Sequence, residues 1–211
     1  EIASCLVGSE MCIRDRTKHF LKLKMLIIFT LIMCPNVGYT QNIKVAYFAG
    51  GCFWCMEESF EKIEGVTSVI SGYSGGTTQN PTYKEVTYGN TGHFEVVKIQ
   101  YDSKKTSYKK LLNIFWVNID PFDKIGQFCD KGYSYRSVAF YSSDIEKKLI
   151  QKSIEEIEKR TKKKIVTYVR KFDKFYKAEN YHQDYYKENF INYLMYKNGC
   201  GRVKALEKIW N

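Results

Sequence analysis

Residues 43–65 read IKVAYFAGGCFWCMEESFEKIEG. The first part is a short apolar run ending on Gly50 and Gly51, the pattern of a buried strand entering a tight turn. From Cys52 onward the period changes: Phe53, Met56, Phe60 and Ile63 recur at helical spacing, and Gly65 closes the run. A strand, a glycine turn and a helix thus place Cys52 in the first turn of the helix. Unpaired backbone amides and the positive end of the helix dipole favour a thiolate there. Cys52 is therefore expected to be partly ionised and nucleophilic.

Downstream, VTSVISGYSGG (66–76) reads as a strand with a glycine turn and NPTYKEVTYGNTG (80–92) as a loop. FEVVKIQYD (94–102) alternates like a strand, SYKKLLNIFWVNI (107–119) is an amphipathic helix and RSVAFYSS (136–143) another strand. A charged helix over about 144–161, a strand IVTYVR (165–170) and a helical stretch AENYHQDYYKENF (178–190) complete the series. Strands and helices alternate without repeats, which predicts an α/β or α+β layer sandwich with a mixed sheet.

The chain has 211 residues, 44% apolar and 16% aromatic, enough for one sizeable core and better suited to one domain than two. Its formal charge is +10; residues 1–40 hold five basic and three acidic side chains, so +8 stays with the remainder. In IEKKLIQKSIEEIEKRTKKK (145–164) bases and acids are interleaved, a solvated helix face and not a nucleic-acid surface. Residues 1–16 read as a non-native segment. Residues 17–40 read as a signal peptide or an N-terminal anchor, with a basic stretch, an apolar run from Met25 to Cys34 and a polar end. Export to the periplasm or outside the cell is expected, with membrane attachment only if the segment stays uncleaved. The domain itself is assigned to residues 41–211, as a monomer.

Four of the seven cysteines, Cys52, Cys55, Cys129 and Cys200, belong to that domain. The spacing C-x-x-C of Cys52 and Cys55 admits four readings. Zinc would need two further ligands at a matching spacing, and none follows. Two packed thiols could be structural. A thioredoxin-like couple has this signature, but Pro35, Pro81 and Pro121 offer no late cis turn of the kind that fold uses. A nucleophilic thiol beside an aromatic pocket is the fourth. Polar groups in glycine-containing turns next to strands could complete such a pocket: Tyr83, Glu95, Asp130 and Tyr135.

Taken together and in order, GCFWCMEESFEKIEGV, SGYSGG, NPTYKEVTYGNTGHFEVV, IDPFDKIGQFCDKGYSYRS and AENYHQDYYKEN resemble a peptide methionine sulfoxide reductase of the A type over about residues 44–210. The resemblance implies an α+β fold, a two-layer sandwich related to ferredoxin-like folds, and reduction of the S epimer of methionine sulfoxide, free or in proteins. It implies Cys52 as the nucleophile, Phe53 and Trp54 as the pocket for the substrate methyl group, and Glu95, Tyr83 and Tyr135 as donors to the sulfoxide oxygen. Asp130 is implied to order the hydrogen bonds of the site. No bound cofactor and no metal are implied; a thioredoxin-like reductant acts as co-substrate.

The chemistry agrees with these roles. A sulfoxide sulfur is a poor electrophile until its oxygen is protonated, so a thiolate needs a proton source opposite it. Glu95 can serve only if burial raises its pKa. Attack leaves a sulfenic acid on Cys52, which a second thiol must resolve as a disulfide. Many family members carry Gly at the position of Cys55 and resolve from a C-terminal tail. Cys200, in the glycine-flexed YKNGCGRVK, is ranked first as resolving thiol, then Cys55, then Cys129. His93 and His182 are expected to fix loops more than to touch substrate. Two rival functions are a thiol–disulfide exchanger, in which Glu95 is dispensable, and a non-enzymatic module that binds oxidised or Met-rich segments.

Overall fold

The computed structural model describes residues 42–211; the expectations for residues 1–40 lie outside the described residues. The opening stretch folds as its period change requires. Strand β1 (Ile43–Ala49) leads through the glycine turn into helix α1 (Phe53–Glu61). Gly51 has φ 79°, a left-handed conformation that suits glycine, and a Cβ on it would come within 2.5 Å of the Gln127 side chain. Strand β2 (Val66–Ser74) follows, and then helix α2 (Tyr83–Tyr88), where a loop is expected from the sequence. Its cause is local: Thr82 and Glu85 form a reciprocal capping box, each side chain bonding the other's backbone amide.

Strand β3 (Phe94–Asp102) and helix α3 (Tyr108–Val117) match their patterns. A two-stranded ribbon of β4 (Gly126–Gln127) and β5 (Asp130–Lys131) leads to a single 3₁₀ turn at Tyr133–Tyr135 and strand β6 (Val138–Tyr141). The charged helix α4 spans Asp144–Thr161, capped by Ser143, with acids in its first turn and bases in its last. Strands β7 (Tyr168–Lys171) and β8 (Phe175–Lys177) follow. The C-terminal stretch is not one helix but a 3₁₀ turn at Asn180–His182 and the helices α5 (Tyr185–Glu188), α6 (Phe190–Gly199) and α7 (Arg202–Trp210). Ile191, Leu194 and Met195 of α6 face outward, which blurs the apolar periodicity that a sequence reading relies on.

The six-stranded sheet has the order β7-β6-β1-β3-β2-β8. Only β6 and β7 pair in parallel, so the sheet is mixed and the fold α+β. Side chains alternate along β1. Ala46 and Phe48 join the main core with Phe60 of α1, Phe115 of α3 and Ile150 of α4, which places these helices on one face. Ala49 turns to the other face, where Tyr47 stacks on Phe172 at 3.7 Å. Burying Phe48, Phe60 and Phe115 stabilises the helix layer by roughly 1.5–3 kcal/mol per ring. Strand β3 is central, paired to β1 on one side and to β2 on the other, and its first residues lie beside the end of β1 that leads into Cys52.

Candidate active site

Cys52 is the N-cap residue of α1, with non-helical backbone (φ −54°, ψ 116°), and only 4% exposed. The first free amide of the helix, Phe53 N–H, does not serve the sulfur; it donates to Glu95 Oε2 at 3.0 Å. Glu95 is the second residue of β3 and is 2% exposed. Burial pushes its carboxyl well above the usual range, and the nearby Asp130 adds to this, while the Phe53 amide and Tyr135 oppose it. The carboxyl is therefore a weaker acid than a solvent-exposed glutamate, which favours its protonated form.

Both thiols of the C-x-x-C segment are free and buried. An N-cap side chain lies over the first helical turn, so Cys52 packs in one cluster with Cys55 three residues on, and the two thiols act on each other electrostatically. Burial raises the Cys52 thiol, and Cys55 and Glu95 raise it further; Tyr196 works the other way. Cys55 is lowered to about 7, first by Cys52 and then, against burial, by Arg202, Tyr193 and Lys197. The expected thiolate thus falls on the inner cysteine. The reason is the diversion of the Phe53 amide to Glu95, together with burial of Cys52.

Cys52, Phe53, Trp54, Tyr83, Glu95, Asp130, Tyr135 and Tyr196 line one cavity of about 80 Å³. Tyr83 and Tyr135 place their hydroxyls 3.4 Å apart. Burial, with Glu95 as neighbour, raises Tyr83 to about 12 and Tyr135 further, so both keep the proton they can donate. Asp130, raised by burial, accepts from the Tyr196 hydroxyl. Trp54 is fixed from two sides: its ring stacks on Tyr185 at 3.8 Å, and its Nε1–H donates to His182 Nδ1 at 3.3 Å. The arrangement offers a thiol, a buried carboxyl, two phenols and an apolar aromatic wall to a small polar substrate carrying a short apolar group.

The family model for peptide methionine sulfoxide reductase matches residues 44–211. The chain belongs to this family. It is 45% identical over 172 residues to the peptide methionine sulfoxide reductase MsrA of Listeria monocytogenes serotype 4b, covering 81% of this chain and 97% of the relative. The MsrA of Bacillus subtilis strain 168 is 45% identical over 173 residues, with 81% and 98% covered. Among solved structures, reduced Mxr1 from Saccharomyces cerevisiae superposes with a TM-score of 0.66 at 32% identity, covering 70% of this chain and 86% of the other. The chain is accordingly an enzyme that reduces methionine sulfoxide.

Within this methionine sulfoxide reductase fold, every residue named from the sequence as catalytic or substrate-binding lines the one cavity. The resolving candidates separate. Cys200, ranked first, is joined to Cys129 by a disulfide, while Cys55 lies against Cys52. His93 holds a loop, accepting from Gly76 N–H through Nδ1 and bonding Thr78 O through Nε2. His182 is buried against Phe53, Trp54 and Tyr83 as a support for the wall. Sequence reasoning missed Tyr196, which α6 brings into the cavity, and Glu179, whose carboxylate holds both the Tyr83 amide and the Tyr73 hydroxyl at 2.8 Å. Glu179 stands inside the quoted AENYHQ motif and could have been found there; Tyr196 lies among many tyrosines with no local signal. Glu57, Glu61 and Asp184 bring carboxylate oxygens within 4.8 Å of one another, but Lys187 already bridges Glu61 and Asp184.

Proposed function

We propose that the protein reduces the S epimer of methionine sulfoxide, free or in proteins, with Cys52 as nucleophile, Glu95 as proton donor and Tyr83 and Tyr135 as supporting donors to the sulfoxide oxygen. The observation that carries this reading is the placing of Cys52 and a buried Glu95, its carboxyl raised by desolvation, in one cavity. A methyl group against Phe53 and Trp54 would point the sulfoxide oxygen at the carboxyl and the two phenols. Attack of Cys52 sulfur on the protonated sulfoxide transfers the oxygen: the substrate leaves as methionine and Cys52 becomes a sulfenic acid. Transfer of the Cys52 proton to the Cys55 thiolate leaves the attacking thiolate on Cys52.

Cys55 is the resolving thiol in this reading. Its contact with Cys52 and its pKa of about 7 support condensation with the sulfenic acid, which expels water and forms a Cys52–Cys55 disulfide. Because Cys52 is the N-cap and not an internal helical residue, the helix need not unwind for the bond to close. This reverses the order expected from the sequence. A thioredoxin-like dithiol then returns the enzyme to the reduced state. The preference for the S epimer follows the family resemblance. So does the relation to ferredoxin-like folds, which the inner strand order β6-β1-β3-β2 with its two crossover helices supports. Export, with an anchor if residues 17–40 remain, and a monomeric state stay part of the proposal.

Single turnover without external reductant tests the reading. The expected result is methionine from the S epimer of a blocked methionine sulfoxide, with a Cys52–Cys55 disulfide mapped by mass spectrometry. Failure of both epimers to yield methionine, with insulin disulfides reduced instead, would leave a thiol–disulfide exchanger.

A further inference from the structure

One cluster at the rim of the site joins two sulfurs and a carboxylate. Phe128 and Cys129 form the two-residue turn between β4 and β5, whose Gln127 and Asp130 face each other across the ribbon. Phe128 holds φ 53° there and lies under the Arg202 guanidinium at 4.6 Å, which pins the turn to the start of α7. Cys129 is exposed, while Asp130 and Cys200 are half-buried. Cys200 arrives from 71 residues further along the chain and is joined to Cys129 by the disulfide. The two sulfurs and a carboxylate oxygen of Asp130 all lie within 4.8 Å of one another. No spacing rule in the sequence discloses this grouping, because its third member comes from a distant helix.

The Asp130 carboxylate is divided between two tasks. Oδ2 accepts from the Tyr196 hydroxyl, whereas Oδ1 lies 3.8 Å from Cys129 Sγ. A tetrahedral zinc ion at its usual bond lengths spaces a sulfur and an oxygen ligand about 3.5 Å apart, and two sulfurs about 3.8 Å. The edge from Cys129 to Asp130 therefore already has nearly the length a metal needs. Only the edge between the sulfurs must open once the disulfide is reduced, and Cys200 is the partner free to move. Gly199 closes α6, Gly201 precedes α7 with φ 66°, and a Cβ built on either would meet nothing within 4 Å. Two thiolates, a carboxylate and a divalent cation leave one net negative charge. Arg202 and Lys131, which both act on Asp130, offset it.

We propose that Cys129 and Cys200, once reduced, form with Asp130 Oδ1 a zinc site beside the substrate cavity. The soft thiolates select zinc over magnesium or calcium. Three protein ligands leave a fourth position, on the exposed side of Cys129, for water. A dithiol reductant delivers two electrons and two protons to the disulfide and is itself left as a disulfide; the metal then displaces those two protons as the sulfurs bind it. Disulfide and zinc are thus alternative states of the same two sulfurs, and the site exists only in the reduced protein. Its carboxylate is the one that lines the cavity with Cys52, and Tyr196 orients it through the second oxygen, the usual role of a hydrogen-bond partner behind a metal ligand. Among the described residues, Cys52 and Cys55 have no third ligand of this kind within the same distance.

Equilibrium dialysis against zinc decides the matter, on the full chain with its disulfide intact and after reduction by a small dithiol that is removed without oxygen. The reduced chain should hold one zinc and the oxidised chain none, and the Cys52→Ser/Cys55→Ser variant should behave in the same way. Cobalt in place of zinc should show thiolate-to-metal charge-transfer absorption, and zinc should shield Cys129 and Cys200 from alkylation mapped by mass spectrometry. Tyr196→Phe should weaken zinc by about 10–100-fold, and Asp130→Asn by at least about as much. Zinc held equally by the oxidised and reduced chains, or cobalt without thiolate bands, overturns the site in favour of surface carboxylates. Zinc retained by the reduced unaltered chain but lost from the Cys52→Ser/Cys55→Ser variant hands the metal to the buried pair and overturns it equally. Should that variant fail to fold, the alkylation map of the unaltered chain answers the same question.

Discussion

Glu57 and Glu95 are both glutamates sealed inside the protein, 0% and 2% exposed, and burial raises the carboxyl of each. Glu57 projects from α1, accepts from Ser71 Oγ at 3.1 Å and Asp184 N–H at 3.2 Å, and is raised to about 7. Its partners tie the helix to β2 and to the start of α5, and it lines no cavity among those described. Glu95 accepts from one amide, Phe53 N–H, and shares its cavity with a thiol and two phenols. The pair separates two properties that are easily merged. A raised pKa follows from desolvation alone, whereas acid catalysis also needs open space beside the proton and a nucleophile across it.

The comparison fails at its root if the cavity is not the reaction site, and Cys52→Ser asks this most directly: methionine formation should vanish in single turnover, with either small or protein dithiol present. Glu95→Gln keeps an acceptor for the Phe53 amide and removes the proton. Its kcat should fall by about 10²–10⁴-fold, the range for loss of a general acid. In the unaltered enzyme kcat/KM should decline as pH rises through the raised Glu95 pKa, since only the protonated carboxyl donates, and the Gln variant should lose that alkaline limb. Tyr83→Phe and Tyr135→Phe each remove one donor and should each cost about tenfold in kcat.

Glu57→Gln sharpens the contrast from the other side, with turnover within about twofold of the unaltered enzyme. Its effect belongs in stability. The folded state holds a proton on Glu57 up to about pH 7, which the unfolded chain releases near 4.5. Stability therefore falls as pH rises between these values, by about 3 kcal/mol in full. The slope of Tm against pH over this window should be shallower in the Gln variant. A Glu57→Gln enzyme as impaired as Glu95→Gln would dissolve the distinction.

The sequence disclosed these residues unequally. Cys52 could be placed at a helix start because the change from a strand run to helical spacing falls on Gly50 and Gly51. Glu95, Tyr83, Tyr135 and Asp130 came from the ordered motifs, as no spacing rule links residues on four separate elements. Glu57 and Glu58 are adjacent and chemically identical, yet one is sealed and raised while the other is lowered to about 2 by Lys197, Lys62 and Tyr193; a helical phase assigns the faces only after the packing partner is known. Helix α2 was legible in Thr82 and Glu85, whose capping-box spacing outweighs the glycines and proline that suggest a loop. The Cys129–Cys200 disulfide was not legible, since its partners lie 71 residues apart and meet only through the return of α6.

The hydrogen bond from Phe53 N–H to Glu95 spans 42 positions of chain and joins the helix that carries the thiol to the central strand that carries the acid. During synthesis Cys52 is made well before Glu95, and β3 must dock between β1 and β2 before the two can meet. Until then the chain carries an ordinary thiol and an ordinary carboxylate, and it would meet an oxidant without the means to turn over. Chemical competence thus arrives late in folding, when the middle of the sheet closes.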